Sequence, residues 1–408
     1  MRLARRLLAL TALLALAAPP AATATPSGIG VADYTLGDSA FRVPDFDAPI
    51  ELTGVVHYPR RPGRHPLVLL AHGLWESCAD PAAARAYQAA LAELRKPDLD
   101  PAARERAEAQ AAAASTKLGA WPCAPGTPPL RNQHGYDYLA RELAGQGFVV
   151  VSISANGPNA GPGGQDQDRA RAALMNKHLA LWRDLSATGG GELAGRFTDP
   201  ATGRPVHADF RGRVDLDRVG TMGHSRGGRG AVWQAANSHR ADWPAGVRVR
   251  AVVPLAPAEY YVADPEDPAA PEHLDYRITD IPFLAVSGTC DHSVTGGRDY
   301  FGNAARHNTV PVRLLTVTGA NHNFYNTEWS PASRQLLSHD DVDSNNVRSG
   351  PGRCRQHQGG PVRQLSESQQ RRVATTYLSA FFRRYLRDDH WAEAIINDPR
   401  AIRVANPR

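Results

Sequence analysis

Short apolar runs rich in β-branched residues alternate with longer stretches of helical spacing along most of the chain. Each run has the length of a buried strand and is bounded by Gly, Pro or polar residues. Strands that alternate with helices indicate a mostly parallel sheet covered by helices on both faces, the α/β class. The predicted parallel strands are residues 66–71, 148–153, 218–222, 249–255, 282–286 and 310–317, and two antiparallel strands precede them near 34–41 and 50–58.

Four longer stretches have the spacing of helices. These are residues 133–146, 166–186, 228–239 and 366–387. The last one carries an apolar stripe that predicts a closing helix packed on the core. The stripe consists of Val373, Tyr377, Leu378, Phe381, Phe382 and Tyr385.

Two segments interrupt the alternation. Residues 79–122, rich in Ala, Arg and Glu, predict one or two polar helices inserted after a strand, where they would form a cap over the active-site edge. Residues 327–365 are polar and contain Gly and Pro, and they are either functional or loosely ordered. Because no linker or internal repeat divides the chain, residues 25–408 predict a single domain with these two additions.

The first 24 residues have the pattern of an export signal. Arg2, Arg5 and Arg6 precede an apolar stretch over 7–18, and the small residues Ala22 and Ala24 mark a cleavage site before Thr25. A bilayer crossing needs about 20 apolar residues, so the pattern predicts a secreted or periplasmic protein with no stable membrane anchor. Cleavage removes three arginines and no acid, which lowers the net charge from +5 to +2. This near-neutral charge argues against a nucleic-acid partner.

The chain contains four cysteines, an even number that favours disulfides in an exported protein. Three pairings are possible, and reduced structural cysteines are the alternative. We predict local pairing, Cys78 with Cys123 and Cys290 with Cys354, since the first two bracket the insertion and the other two fall in the C-terminal third.

The strongest chemical signal is the hexapeptide 223–228, Gly-His-Ser-Arg-Gly-Gly, between a predicted strand and a predicted helix. A strand-to-helix turn this tight requires residues with almost no side chain near the serine, and it exposes the hydroxyl at the start of the helix. The pattern predicts Ser225 as a nucleophile; a structural Gly/Ser turn is the alternative.

A serine nucleophile needs a base within hydrogen-bond reach and an acid that orients the base. Downstream of Ser225, Asp291 follows one predicted strand and His322 follows the next, in a loop that contains Gly319. The order serine, acid, histidine is that of a nucleophile elbow in an α/β sheet. We therefore predict His322 as general base and Asp291 as its acid.

Other residues compete for these roles. Glu259 or Asp264 could supply the acid in place of Asp291. His292 cannot easily be oriented by its own neighbour Asp291, and we expect His224 to point away on the other side of the elbow. Both histidines are predicted to be solvated or to support the site indirectly.

An oxyanion needs two backbone N–H donors, one after the nucleophile and one from an earlier strand's loop. Arg226 is the predicted first donor. The second is predicted to be Leu74, with Gly73 or Trp75 as alternatives, because Gly73 permits the turn.

Taken together, His72-Gly73, the 223–228 elbow, Asp291 to Val294 and His322 to Phe324 resemble the α/β-hydrolase superfamily. The similarity is greatest to its cutinase, polyester hydrolase and platelet-activating-factor acetylhydrolase branch. The resemblance implies an α/β-hydrolase fold over about residues 30–390 and an esterase or lipase activity. Arg226 and the 79–122 insertion depart from the compact cutinases and argue against an open groove for polymers.

Asp341-x-Asp343-x-Asn345 begins like a calcium loop but lacks the glycine and glutamate that complete one. A solvated acidic loop is the favoured interpretation, and we predict no cofactor and no metal.

The combined signals predict a carboxylic ester hydrolase that forms an acyl-enzyme. A peptidase or amidase with the same triad, or a non-catalytic binding protein, are the alternatives. Apolar residues flank the predicted catalytic loops and favour neutral esters of short to medium chain. They are Leu74, Trp75, Phe324, Tyr325 and Trp329, and the tentative substrate pocket comprises Trp75, His224 and Phe324.

Overall fold

A central mixed sheet organises the chain in the computed structural model, which describes residues 28–260 and 270–398. The predicted export signal lies outside these residues. The strands are β1 Ile29–Thr35, β2 Phe41–Val43, β3 Phe46–Ile50, β4 Thr53–Pro59, β5 His65–Ala71, β6 Val149–Ile153, β7 Phe197–Thr198, β8 Val214–His224, β9 Val249–Leu255, β10 Phe283–Gly288, β11 Val312–Val317, β12 Arg353–Cys354 and β13 Val362–Arg363.

Helices of very different length lie between these strands. They are α1 Pro81–Leu94, α2 Pro101–Leu118, α3 Asp137–Gly145, α4 Asn156–Ala160, α5 Gly164–Thr188, α6 Arg226–Ala235, α7 Pro271–Leu274, α8 Gly297–His307, α9 Asp341–Ser344, α10 Glu367–Leu386 and α11 Ala392–Asn397. Short 3₁₀ turns occur at Asn132–Tyr136, Asn237–Asp242, Asn323–Tyr325 and Pro331–Ser333. Within the two described stretches, no helix is both long enough and apolar enough to cross a membrane.

Nine strands form the main sheet in the order β11-β10-β9-β8-β5-β6-β4-β1-β7. The six strands from β11 to β6 are parallel to their neighbours, and β4, β1 and β7 continue the sheet in antiparallel fashion. The predicted α/β class with a mostly parallel sheet is therefore confirmed. Strands β2 and β3 form a separate hairpin, and so do β12 and β13.

Two apolar cores cover the two faces of this sheet. Helices α5, α6 and α8 lie over one core, and α3 and α10 lie over the other. Along β5, Leu67 and Leu69 belong to the first core whereas Val68 and Leu70 belong to the second, and all four side chains are fully buried. Burial on both faces explains why the strand is an unbroken apolar run in the sequence.

The predicted parallel strands and long helices match the structure closely. The strand predicted near 34–41 was wrong in position, because β1 ends at Thr35 and a turn with Gly37 at a φ of 116° separates it from β2. Three other places also differ. Helix α6 begins at Arg226, two residues before the predicted start, because the elbow passes directly into the helix. Helix α8 was not predicted, because two glycines and several polar residues lower its helix propensity. It is stabilised by Tyr300 and Ala304, which are buried in the first core. The 327–365 excursion contains α9 and the β12–β13 hairpin.

Helix α10 begins with a capping box. The Ser366 hydroxyl accepts the Gln369 N–H at 3.3 Å, and the Gln369 side chain accepts the Ser366 N–H at 3.0 Å. Both bonds satisfy donors that would otherwise lack partners at a helix start.

We expect Ser366→Ala to lower the free energy of unfolding by about 1 kcal/mol, because it removes this cap from a helix that covers one core. Urea denaturation monitored by circular dichroism measures the change. Thr375→Ala, farther along α10 and outside the cap, is the control, because the Ser368 hydroxyl itself lies 3.2 Å from that of Ser366. An equal loss in both variants would contradict a specific role for the cap.

Candidate active site

Three parallel strands place the predicted nucleophile, acid and base at one edge of the sheet. Ser225 directly follows β8, Asp291 lies three residues after β10, and His322 lies five residues after β11. Carboxyl ends of parallel strands meet at the same sheet edge, where α/β proteins form their ligand sites. All three side chains are buried there, with Ser225 and His322 each 6% exposed and Asp291 2%.

Ser225 occupies a strained backbone conformation between β8 and α6. Its φ of 57° is positive, which is rare for a residue with a side chain. The surrounding backbone fixes this turn, since the Ser225 N–H donates to the Leu255 carbonyl at 3.0 Å. A Cβ on Gly227 would lie 2.5 Å from the Ala71 carbonyl oxygen, and a Cβ on Gly223 would overlap the Gly227 carbonyl. The glycines are therefore needed so that three backbone segments can meet beneath the serine.

His322 is hydrogen bonded to Asp291 through Nδ1 and Oδ2 at 2.9 Å. An ionised carboxylate only accepts, so Nδ1 carries the proton and Nε2 is left with the lone pair that a general base needs. Burial opposes the charged imidazole, but Asp291, with smaller contributions from Asp341 and Glu259, favours it, and the pKa of His322 is raised above its ordinary value. The other Asp291 oxygen accepts the N–H groups of Ser293 and Val294, which fixes the acid.

Ser225 and His322 are not hydrogen bonded to each other in the described structure. His224, which directly precedes Ser225, lies against His322, with 4.7 Å between the two ring centroids. Hydrogen bonds to a nucleophile are commonly long in ligand-free sites and tighten when substrate binds. The geometry thus pairs His322 with Asp291 and brings Ser225 to the same edge of the sheet.

His224 does not point away from the site as predicted, and of its two predicted roles, solvated or supporting the site indirectly, its burial leaves only the second. His224 is fully buried, and its Nδ1 is hydrogen bonded to the Tyr136 hydroxyl at 3.0 Å. Its ring stacks on that of Trp329 with 4.8 Å between the ring centroids. Burial holds its pKa well below the ordinary value, so the ring is neutral. Trp329 in turn stacks on Trp75 at 5.0 Å. His224 is thus part of a continuous ring stack that backs His322 and is not a wall of an open pocket.

The predicted oxyanion donors lie on either side of the nucleophile. Arg226 is the first residue of α6, where backbone N–H groups have no intrahelical acceptor. Gly73 approaches Ser225 so closely that a Cβ there would lie 2.5 Å from the serine Cβ. The Gly73 carbonyl accepts from Asn159 at 3.1 Å, and in a planar trans peptide the Leu74 N–H must point the opposite way. Leu74 itself is 42% exposed.

Buried polar residues that the sequence analysis missed hold this loop in place. His72 Nε2 accepts the Ala155 N–H at 2.8 Å, so its Nδ1–H donates to the Gly73 carbonyl at 2.9 Å. Arg171, only 1% exposed, donates to the His72 carbonyl at 3.0 Å and to Asn159. Arg171 lies in the middle of a long helix, and nothing in its sequence neighbourhood indicates that it is buried.

The competing residues make other contacts. The Glu259 carboxylate accepts the backbone N–H and the hydroxyl of Thr295, so it is not the partner of the His322 ring. His292 contacts the Arg355 carbonyl at 2.9 Å through Nε2. Asp264 lies outside the described residues. Phe324, predicted to line the pocket, is 6% exposed.

The Asp341-x-Asp343-x-Asn345 loop makes contacts within the protein. Asp343 is exposed and pairs with Arg348, while Asn345 donates to the Ser293 hydroxyl at 3.0 Å. The interpretation as a solvated loop was wrong for Asp341, which is 2% exposed and accepts the backbone N–H groups of His322 and Asn323.

Both predicted disulfides are present, Cys78–Cys123 and Cys290–Cys354. The first closes the base of the insertion, in which α1 and α2 pack on each other and contact Leu336 and Leu337 of the excursion. A cleft of about 630 Å³ lies between α1 and the excursion. Its lining includes Glu76, Tyr87, Leu91, His339 and Asp343. That the insertion caps Ser225 stays a prediction.

The two disulfides are expected to have different effects on the site. Cys290 directly precedes Asp291, so replacing Cys290 and Cys354 by serine should reduce both the melting temperature and the modification rate of Ser225 by a serine-directed phosphonate. Replacing Cys78 and Cys123 should lower the melting temperature and leave that rate within about twofold. Removal of a native disulfide typically costs about 2–5 kcal/mol. Equal effects on the rate in the two double variants would contradict this expectation.

The site is therefore defined by residues at the ends of β5, β8, β10 and β11 and by the polar residues that hold those loops. No protein-family model matches the chain, and no curated protein matches it either.

Proposed function

We propose that this protein is a serine hydrolase of the α/β-hydrolase fold that cleaves carboxylic esters through an acyl-enzyme. The observation that carries the proposal is the combination of a strained serine elbow with a buried His322–Asp291 pair at the neighbouring strand ends. The chain order serine, acid, histidine agrees with that fold. Strain at a single serine, held by backbone contacts, is typical of a functional position.

In the proposed reaction, the Ser225 hydroxyl attacks the ester carbonyl and transfers its proton to His322 Nε2. The imidazolium that forms is stabilised by Asp291, which keeps its negative charge. The backbone N–H groups of Arg226 and Leu74 bind the oxyanion of the tetrahedral intermediate. His322 then protonates the leaving alkoxide. In the second half of the reaction, the same ring takes a proton from a water molecule that attacks the acyl carbonyl, and returns that proton to Ser225 Oγ as the bond from Oγ to the acyl carbon breaks.

Esters are favoured over amides by what surrounds the loop. Leu74 and Trp75 directly follow Gly73, which closely approaches Ser225, and their partly exposed apolar side chains suit an uncharged acyl group. Secretion or export to the periplasm remains part of the proposal, and the two disulfides support it because such bonds persist in oxidising compartments.

A fluorophosphonate should label Ser225, and Ser225→Ala should lose labelling and on the order of 10⁴-fold in ester turnover, because the nucleophile is gone. Peptide mapping by mass spectrometry identifies the modified serine. Ser238→Ala, at an exposed serine on the 3₁₀ turn after α6, is the matched control and should retain both properties.

Two results would count against the proposal. Labelling confined to another serine would remove Ser225 from the mechanism. A substrate panel of nitrophenyl acyl esters and peptidyl nitroanilides at equal concentration separates the reaction classes. Turnover of the anilides at the rate of the best ester, or of the anilides alone, would make the protein a peptidase or amidase.

The pH dependence of ester turnover should reflect the raised pKa of His322. The base must be neutral, so kcat/KM should rise with pH through a pKa above the ordinary value near 6.5. In Asp291→Asn no carboxylate at this position offsets the effect of burial, so the pKa of His322 should fall. The acid limb of the profile, where the rate rises with pH, should then move to lower pH, and the maximal rate should fall by about 10⁴-fold. A Glu259→Gln variant that loses more activity than Asp291→Asn would instead assign the acid to Glu259.

A further inference from the structure

A second buried carboxylate lies next to the His322–Asp291 pair. Asp341 Oδ2 accepts the His322 backbone N–H at 2.9 Å, and Oδ1 accepts the Asn323 N–H at 3.0 Å. Asp341 therefore binds two consecutive N–H groups of the histidine loop with both of its oxygens. Charge-assisted bonds of this kind are about twice as strong as neutral ones.

The segment that carries Asp341 is also attached to the acid loop. The Cys290–Cys354 disulfide joins the excursion to the residue before Asp291. His357 Nε2 contacts the Asp291 carbonyl, and the Asn345 amide donates to the Ser293 hydroxyl. The excursion thus connects the loop of the base with the loop of the acid, although the two loops follow different strands.

Electrostatics also couple Asp341 to the pair. Burial and then the nearby Asp291 raise the pKa of Asp341, while His322 and the two backbone N–H groups lower it. For His322, burial disfavours the charged ring and Asp291, Asp341 and Glu259 favour it, whereas the neutral His224 ring packs on its face. The pKa of Asp341 is raised to about 7, so Asp341 favours the charged His322 ring at the pH values where its own carboxyl group is ionised.

We propose that Asp341 is a positioning residue that fixes the histidine loop, so that the His322 ring meets Asp291 in the orientation required of a base. The role rests on the proposed hydrolase function. Asp341 touches neither substrate nor nucleophile in this role. Asp341 holds the main chain of His322, whereas the hydrogen bond from Asp291 holds only the ring.

Asp341→Asn is the direct test, because the amide offers one acceptor where the carboxylate offers two and turns its NH₂ toward a backbone N–H. We expect kcat for a nitrophenyl ester to fall by about 10²-fold with KM changed by less than about twofold, as for a displaced catalytic group. The acid limb should move to lower pH, since His322 loses one favourable charge. Asp343→Asn, two residues along in α9 and exposed, is the matched control and should change neither quantity.

Asp341→Glu separates position from charge. It keeps the carboxylate but displaces it by one methylene, so kcat should fall while the acid limb stays in place. If Asp341→Asn does not fold, this variant and the control still decide the matter. Wild-type kcat and an unmoved acid limb in Asp341→Asn, or a wild-type kcat in Asp341→Glu, would overturn the proposal.

A measurement without turnover keeps this inference apart from the proposed function. Nitrogen-15 NMR of labelled histidine follows the pKa and tautomer of His322 in each variant. A lower His322 pKa in Asp341→Asn but not in Asp343→Asn supports the role of Asp341, and equal pKa values in all variants contradict it. Wild-type protein that leaves Ser225 unlabelled contradicts the hydrolase function, and the NMR result still decides whether Asp341 positions the ring.

Discussion

The hydrogen bond between Asp291 and His322 is the contact on which the rest of the site depends. Both groups are buried, and burying a charge is costly unless it is paired and hydrogen bonded. The protein meets this requirement with backbone N–H groups on Asp291 and with a second carboxylate, Asp341, on the main chain of His322. The excursion that carries Asp341 is consequently part of the site's framework.

Steric constraint holds the backbone at Ser225, the proposed nucleophile. Ser225 is forced into a positive φ by the close packing of β5, β8 and the start of α6. Glycines occupy the positions where this packing leaves no room for a side chain. Such strain costs on the order of 1–3 kcal/mol and persists only if the surrounding structure fixes it. Here the two apolar cores on either side of the sheet supply that support.

The predicted oxyanion loop depends on buried polar contacts. Arg171 donates to the His72 carbonyl and to Asn159, and Asn159 donates to the Gly73 carbonyl. Removing any one partner would leave a buried donor or acceptor unsatisfied, which costs about 1–3 kcal/mol. The direction of the Leu74 N–H is therefore set from α4 and α5, more than 80 residues along the chain.

The sequence by itself determined the elements that local patterns encode. The parallel strands, the long helices, the elbow around Ser225 and the order of Asp291 and His322 follow from periodicity, spacing and turn chemistry within short windows. The two cysteine pairs were chosen among three possible pairings from the positions of the cysteines along the chain. Only the tertiary structure decided the burial of His224 and the contacts of Arg171 and Asp341. Those features depend on residues that are distant in the chain and meet only when the sheet has formed, so no local pattern specifies them.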